Sequence, residues 1–459
     1  MSQVLSRFQH GFLTAATCLV TTTGAHAAVI IPAGLLLTIG ASVLRAQTTS
    51  PFKQPAGFSL SEAQAIARGA SPDLRAAREA VAAARGQERQ ANALANPTLS
   101  YNREQTSRSG QANAQDITQL QQPLEVGGQR RARRDAGRLR SEVAEARLKA
   151  AEHLLDYDVA RAYATLAAAA RRATLADEAT TAFADAVRVT NERLAAGDVS
   201  GYAARRLQLE AARYASHRAE AMLALRVARI ALAELIVLSP DSMAPLPATT
   251  LELASVRPQP LLPLDSLQAT AFALRPDLRA QTLEAAAAAA EARLAVTERI
   301  PTPTVSAGYK RESTKLGGAV GAMALHGFVA GFSIPLPVFD RRRGSIEAAA
   351  ANTRGRQAEV EALRRRVRIE VEEAHASLLA VDTQLELLRP QLGESARTAI
   401  RAVQAAYNDG EITLVEWLDA VRAYQEAEST FATLQADAMI RRAALERAVG
   451  VSLFTRSTQ

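Results

Sequence analysis

Two stretches of this 459-residue chain carry an apolar repeat every 3.5 residues, for far longer than a globular core allows. In the first stretch the repeat has no slip, and its members are Leu155, Val159, Ala162, Leu166, Ala169, Ala173, Ala176, Thr180, Phe183, Val187, Thr190 and Leu194. The second stretch has matching members 212 residues later (Val371 against Val159), namely Val371, Ala374, Leu378, Val381, Leu385, Leu388, Leu392, Ser395, Ala399, Ala402 and Ala406. Such a period predicts coiled-coil seams on two long helices.

The predicted long helices run from Gln129 to Ala196 and from Arg341 to Asn408. At 1.5 Å per residue, each would be about 100 Å long. The chain is 48% hydrophobic but only 4% aromatic, and small residues suit closely packed helices better than a broad sheet core. We therefore predict a mainly α fold with a small β part, built as an extended cylinder or rod.

The chain contains two copies of one sequence unit. Pro72-Asp73-Leu74-Arg75 returns as Pro276-Asp277-Leu278-Arg279, and Gly197-Asp198 is matched by Gly410-Glu411. The repeats predict two strand–helix units at 47–238 and 265–454, a Pro-rich linker at 239–264 and a tail at 455–459.

Each unit has the same predicted order of elements. A short helix and a second helix come first, within Ser59–Ala95 in the first unit and within Asp265–Arg299 in the second. The second helix of each pair has Pro in its first turn, a position that suits proline. Two extended segments follow in each unit (97–108 with 115–124, and 303–313 with 321–335). The long helix, a Gly-centred turn and a last helix ending near Val237 or Val449 complete each unit.

The extended segments have the alternation of strands with two different faces. Val305, Ala307 and Tyr309 alternate with polar or small residues, and Phe328 and Phe332 share one parity with Ile334. Open strand edges are not tolerated in lipid, so a pore made from four strands per chain needs at least three copies of the chain. The alternative is a pair of surface hairpins on a soluble rod.

Residues 1–46 are predicted to be an export leader. Arg7 and His10 precede apolar runs, and Ala25-His26-Ala27 fits a signal-peptidase cleavage pattern. A retained anchor is the alternative. The only cysteine, Cys18, lies in this leader, so the rest of the chain has neither a disulfide nor a cysteine metal site.

Composition and motifs argue against nucleic-acid binding and against catalysis. The net charge is +7, but the arginines are interleaved with glutamates and no nucleic-acid-binding motif accompanies them. The histidines outside the leader are not spaced as helical metal pairs: His153, His217, His326 and His375. No nucleophile elbow, Walker A or dinucleotide motif is present, so we predict no catalytic residues, no cofactor and no metal site.

Several motifs resemble those of the TolC family of outer-membrane efflux factors, over essentially all of the chain from Phe58 to Phe454. They are the Pro-Asp-Leu helix starts, Asn96-Pro97-Thr98-Leu99, and Tyr407-x-x-Gly410 followed by Leu418-Asp419-Ala420. The segments 123–130 (PLEVGGQR) and 334–341 (IPLPVFDR) resemble the heavy-metal and cation-efflux branch.

That resemblance implies a homotrimer in the outer membrane. Its strands would form one 12-stranded β-barrel in outer-membrane lipid, continuous with a long periplasmic α-barrel that meets a periplasmic adaptor protein and an inner-membrane pump of the resistance-nodulation-division class. The function implied is a passive export duct, with metal cations as cargo on the resemblance alone. The rival hypothesis is a periplasmic coiled-coil scaffold or adaptor of an export system.

The resemblance also assigns gate residues. Tyr407, Glu416 and Asp419 match pore-constriction positions, and two acids in each of three copies would give a ring of six carboxylates that favours cations. The alternative for the acids is an ordinary solvated helix face. The family's ionic latch is absent, because Ile412 replaces its arginine and Ala203 replaces its first-unit acid.

The turns between the long and last helices are the candidate adaptor-docking tips, Gly197, Asp198, Gly410 and Glu411. The alternative is that these residues only form turns.

Overall fold

The computed structural model describes residues 59–108, 111–237, 261–315, 322–389, 392 and 394–453. The predicted leader, the predicted tail and all of the linker except 261–264 lie outside these residues. In chain order the described elements are α1 (Leu60–Ala70), α2 (Pro72–Asn92), β1 (Thr98–Arg108), β2 (Gln111–Pro123), α3 (Gln129–Ala196), α4 (Gly201–Ile236), α5 (Leu264–Leu274), α6 (Pro276–Thr297), β3 (Thr304–Lys315), β4 (Ala322–Ser333), α7 (Arg343–Leu388), α8 (Glu394–Asp409) and α9 (Leu414–Val449). The mainly α fold with a small β part is confirmed.

The first long helix is confirmed from its first residue to its last. α3 has 68 residues and lies between two glycines in the left-handed region, Gly128 (φ 79°) and Gly197 (φ 86°). Glycine enters this region without the steric cost that a Cβ adds, so the helix has a defined start and stop.

The second long helix is interrupted, so the prediction of one helix from Arg341 to Asn408 is wrong. α7 ends at Leu388 and α8 begins at Glu394. The intervening sequence contains Pro390, and proline has no backbone N–H to donate and clashes with the preceding helical turn.

The interruption also shifts the second seam by one residue. Before it, Leu378 and Leu385 are buried as predicted. After it, the predicted seam residues Ala399 and Ala402 are exposed. Their neighbours Ile400, Val403 and Tyr407 pack into the core instead, because a broken helix does not transmit its phase to the next one.

The four strands form one antiparallel sheet in the order β1-β2-β3-β4. Each unit contributes one hairpin, and β2 pairs with β3 to join the two units, with Thr118 opposite Tyr309. Strand β2 starts at Gln111 and is longer than predicted. β1 and β4 are the edges of this sheet.

α3 is the central helix. The half of α3 nearer the sheet packs against α2 and α6, and the other half packs against α4 and α9. α7 packs on α6 and then on α9, so α4 and α7 lie at the two ends of the series α4-α3-α9-α7.

Buried ion pairs fix the helices to one another. Arg171 of α3 contacts Glu428 of α9 at 2.7 Å, and that carboxylate is buried. Arg275, which precedes α6, is buried and contacts Asp277 at 2.7 Å and Glu370 of α7 at 2.6 Å. Because each charge is paired, burial does not leave an uncompensated ion.

No helix in the described ranges is both long enough and apolar enough to cross a membrane.

Candidate functional site

The two predicted tips are turns with the same geometry, one between α3 and α4 and one between α8 and α9. Gly197 and Gly410 have φ values of 86° and 83°. The N–H of Asp198 donates to the Arg193 carbonyl, and the N–H of Glu411 donates to the Ala406 carbonyl, each at 2.9 Å. This is the Schellman arrangement, in which a left-handed glycine lets the next residues satisfy the last free carbonyls of a helix.

Tyr407, predicted as a gate residue, is buried beside the second turn. Its hydroxyl and the Thr190 Oγ1 form a hydrogen bond of 2.8 Å, which joins α8 to α3. Its ring stacks on Trp417 of α9 with 5.1 Å between the ring centres. Tyr407 therefore holds three helices together within one chain.

An aromatic cluster at this end of the molecule was missed by the sequence reasoning. Phe183 stacks on Tyr214 at 4.2 Å between ring centres and meets the edge of Trp417 at 4.8 Å. The Trp417 Nε1–H donates to Gln404 Oε1 at 2.9 Å, so the buried indole is satisfied. The sequence did contain a sign of this cluster. The chain has few aromatic residues, and its only tryptophan stands next to a predicted gate acid.

Arg193 links the two turns and was also missed. It lies in the last turn of α3, and its Nη1 donates to the Tyr407 carbonyl at 3.4 Å. A Cβ added to Gly410 would collide with the same guanidinium, whereas a Cβ added to Gly197 would meet open space. A cation beside the carboxyl end of α8 also complements the helix dipole.

Glu416 caps its own helix. Its carboxylate accepts hydrogen bonds from the Thr413 N–H and hydroxyl, each at 2.8 Å, while the Thr413 hydroxyl accepts from the Glu416 N–H. These bonds from the Thr413 backbone and side chain lower the pKa of the Glu416 carboxyl. The first unit has Ser200 as the cap of α4 but Ala203 in place of the acid, so it lacks this reciprocal arrangement.

Asp419 lies one turn further along α9 and is exposed, as Glu416 is. Its carboxylate makes no ion pair or hydrogen bond with the part of the chain that the structure describes. The spacing of three residues places both acids on neighbouring positions of one helix surface. Glu416 thus has a local structural role, and Asp419 is the acid that remains for other contacts.

The side chains of Asp198 and Glu411 project from the turns and are exposed. Ile412, which the resemblance matches to the arginine of the latch, packs against the aromatic cluster. Within the described ranges, no group of three or more His, Cys, Asp or Glu side chains is arranged to hold a metal ion.

Comparison with known proteins relates both units to one family. The model named "Outer membrane efflux protein" matches residues 65–237 and 267–451. These ranges contain both predicted tips and every candidate gate residue.

Two relatives have names that refer to metal resistance. The cobalt-zinc-cadmium resistance protein CzcC of Cupriavidus metallidurans is 27% identical over 377 residues, which cover 82% of this chain and 86% of that protein. The nickel-cobalt-cadmium resistance protein NccC of Alcaligenes xylosoxydans xylosoxydans is 28% identical, over 60% of each protein.

Among solved structures, the channel CusC aligns with a TM-score of 0.66 and 20% identity, covering 87% of this chain and 95% of CusC. At that identity the likeness concerns the fold. The family model covers most of the chain and both of its units. The chain is a member of the outer membrane efflux protein family.

Proposed function

We propose that this protein is the outer-membrane channel component of a tripartite efflux system. It acts as a passive homotrimeric duct, docks a periplasmic adaptor protein and an inner-membrane pump of the resistance-nodulation-division class, and exports metal cations. It performs no chemistry on its cargo. Its helices extend into the periplasm while its sheet lies in outer-membrane lipid.

One observation carries this proposal. A single chain leaves two edges open in its sheet and two edges open in its helical part. Among the residues that the structure describes, β1 and β4 have no outer partner in the sheet, and α4 and α7 end the helical series. A surface that pairs one edge with the opposite edge of the next copy generates a ring when the rotation closes.

The exposed apolar residues lie where such a ring needs them. Tyr202, Leu209, Leu223 and Ile230 of α4 are exposed and are spaced in sevens or multiples of seven. This is the spacing of a coiled-coil seam, and none of the helices in the described part of the chain covers it. α7 offers Ile369, Leu379 and Leu387, which are also exposed.

Three copies give the smallest ring with an open interior. Three times four strands make twelve, whereas eight strands leave an interior that side chains fill. The membrane part would then be one closed 12-stranded β-barrel, with no strand edge left facing lipid.

The cargo follows from two lines of support. CzcC and NccC are named for resistance to divalent metals. Asp419 and Glu416 near the tip would place negative charge around the entrance of the ring, and carboxylate rings favour cations. The exposed turns with Asp198 and Glu411 would be the docking tips for the adaptor.

The test is to measure ion selectivity of the purified full-length protein in a planar bilayer under a potassium chloride gradient. We expect Asp419→Asn to shift the reversal potential towards that of an unselective pore, and Glu416→Gln/Asp419→Asn to shift it further. The matched control is Glu220→Gln, which removes an exposed carboxylate from α4 away from both turns. Selectivity that is unchanged in both gate variants would refute the gate assignment.

Cell fractionation separates the duct from its rival. The duct predicts a heat-sensitive trimer in the outer-membrane fraction, and its deletion should sensitise the cells to divalent metals. A protein recovered as a soluble periplasmic species would instead support the scaffold or adaptor hypothesis.

A further inference from the structure

One face of the sheet is divided into an apolar half and a polar half. On this face, the half near the helices carries exposed apolar side chains from all four strands: Leu99, Tyr101, Leu120, Val305, Tyr309, Phe328 and Phe332. The opposite face is mostly polar there, with Ser100, Gln119 and Ser306 at neighbouring positions. The other large apolar residues of β4 that are exposed, Met323 and Leu325, belong to that opposite face.

A row of ionisable residues crosses the sheet directly beyond the apolar half. Arg103 pairs with Asp116, Asp116 with Arg311, and Arg311 with His326, so each strand contributes one member. The row just before it is Tyr101, Thr118, Tyr309 and Phe328. The change from apolar to charged therefore takes place between two adjacent rows on the same face.

The tyrosine hydroxyls point across this boundary. Tyr101 donates to Asp116 Oδ1 at 2.7 Å, and the Tyr309 hydroxyl is hydrogen-bonded to His326 Nδ1. Each ring thus lies on the apolar side and each hydroxyl on the polar side. Tyrosines with this orientation mark the level at which a membrane changes from acyl chains to headgroups.

The apolar surface continues past the other end of the strands, onto the two segments that lead into α3 and α7. Leu124 and Val126 are exposed in the first segment, and Leu336 and Val338 in the second. Both segments are ordered by the same short hydrogen bond, from Val126 N–H to the Leu124 carbonyl at 3.0 Å and from Val338 N–H to the Leu336 carbonyl at 2.8 Å. Phe339 follows with its side chain fully exposed.

We infer that the lipid-contacting band of this protein is displaced towards the helices. Acyl chains cover the apolar half of the sheet together with the two junction segments, Leu124–Val126 and Leu336–Phe339. The row from Arg103 to His326 lies at headgroup level, and the distal halves of the strands stand clear of the hydrocarbon. This inference rests on the proposed function, because it requires the sheet to be inserted in the outer membrane.

The dimensions support the displaced band. A transmembrane barrel presents an apolar band of about 25 Å to the lipid. The sheet rows from Phe332 to Phe328 cover only about 13 Å. A band centred on the strands would instead place Arg103 and Arg311 in the middle of the hydrocarbon, where exposed arginine is most unfavourable.

The test places single tryptophan probes in the reconstituted full-length protein and measures fluorescence quenching by lipids brominated at defined acyl-chain depths. The native Trp417 is buried at the tip and serves as a constant background. We expect Phe332→Trp to be quenched by deep bromines, Phe339→Trp to be quenched by shallow bromines, and Gln105→Trp, beyond the charged row, to escape quenching. Val338→Trp and Ser107→Trp provide the same comparison should a first variant fail to fold.

The outcomes separate this inference from the proposed function. Quenching of Phe332→Trp and Gln105→Trp alike, with Phe339→Trp unquenched, would overturn the displaced band while leaving membrane insertion intact. Quenching of none of the probes would overturn the proposed function itself, and the displaced band with it.

Discussion

At the scale of single residues, the two tip glycines form a natural matched pair. Gly197 and Gly410 have nearly the same φ and the same Schellman hydrogen bonds, but only Gly410 lies against the Arg193 guanidinium. That guanidinium donates to the Tyr407 carbonyl and so joins the first turn to the second. Alanine substitutions at the two glycines therefore separate two free-energy costs, that of backbone strain and that of losing the contact between the turns.

We predict that Gly197→Ala destabilises its turn by about 1–2 kcal/mol, the cost of a Cβ in the left-handed region. Gly410→Ala should cost about 1 kcal/mol more, because the guanidinium must move and its hydrogen bond is lost. Hydrogen exchange of the peptides that span the two turns measures both values. In an Arg193→Ala background the two substitutions should cost the same, and equal costs already in the wild-type background would contradict the role given to Arg193.

Sequence reasoning reached Tyr407 through a family motif but did not reach its partners. Thr190 is 217 residues away and was assigned only to the coiled-coil seam. A repeat pattern shows which face of a helix is buried, whereas the identity of a distant hydrogen-bond partner depends on helix phase and rotation. That information appears only once α3, α8 and α9 are packed together.

At the scale of elements, the start of α9 depends on the ionisation of Glu416. Its folded-state pKa is lower than its ordinary value, because hydrogen bonds from Thr413 favour the carboxylate. The contribution of this group to stability is therefore fully present above the ordinary pKa and is lost as the pH falls through the folded-state pKa. Ser200 caps α4, and Ala203 stands at the position that matches Glu416, so this cap lacks the dependence on pH.

We predict that Glu416→Gln lowers the thermal stability of the purified protein at neutral pH, and that the difference from wild type shrinks as the pH falls below the folded-state pKa. Circular dichroism melts over a pH series measure this difference. Ser200→Ala is the control, and its cost of about 1 kcal/mol should not change over the same series. A Glu416→Gln deficit that is constant with pH would show that the carboxylate does not cap α9.

The elements differ in how far the sequence predicts them. The bounds of α3 were predicted from its seam and the glycines on either side, Gly128 and Gly197, and the structure confirms them. The second seam loses its phase after Leu388, because the chain contains Pro390 and the helices on either side are separate elements. The pairing of β2 with β3 joins residues about 200 positions apart, for example Thr118 and Tyr309, and no local pattern encodes it.

At the scale of the whole molecule, duplication explains both the similarity of the units and their different surroundings. Each unit supplies one hairpin, one long helical stretch and one shorter returning helix, and only the second unit's long stretch is divided, into α7 and α8, so the chain has pseudo-repeats but two unlike ends. α4 of the first unit and α7 of the second end the helical series on opposite sides. A head-to-tail ring of copies would bring every α4 edge against an α7 edge.

This arrangement gives a prediction about assembly. Leu223→Glu places a charge in the exposed stripe of α4, and we expect it to abolish the heat-sensitive trimer on unheated gels of outer membranes, because the carboxylate would be buried without a partner. Leu223→Met keeps the apolar contact and should keep the trimer. Leu387→Glu on α7 should reproduce the defect.

Co-expression of the Leu223→Glu and Leu387→Glu chains tests whether the interface is of the head-to-tail kind. In a closed ring each interface uses one α4 edge and one α7 edge, so every variant chain leaves at least one defective interface and no mixture restores the ring. A trimer that returned on co-expression would therefore contradict a ring closed by α4–α7 contacts, which is the ring on which the duct depends.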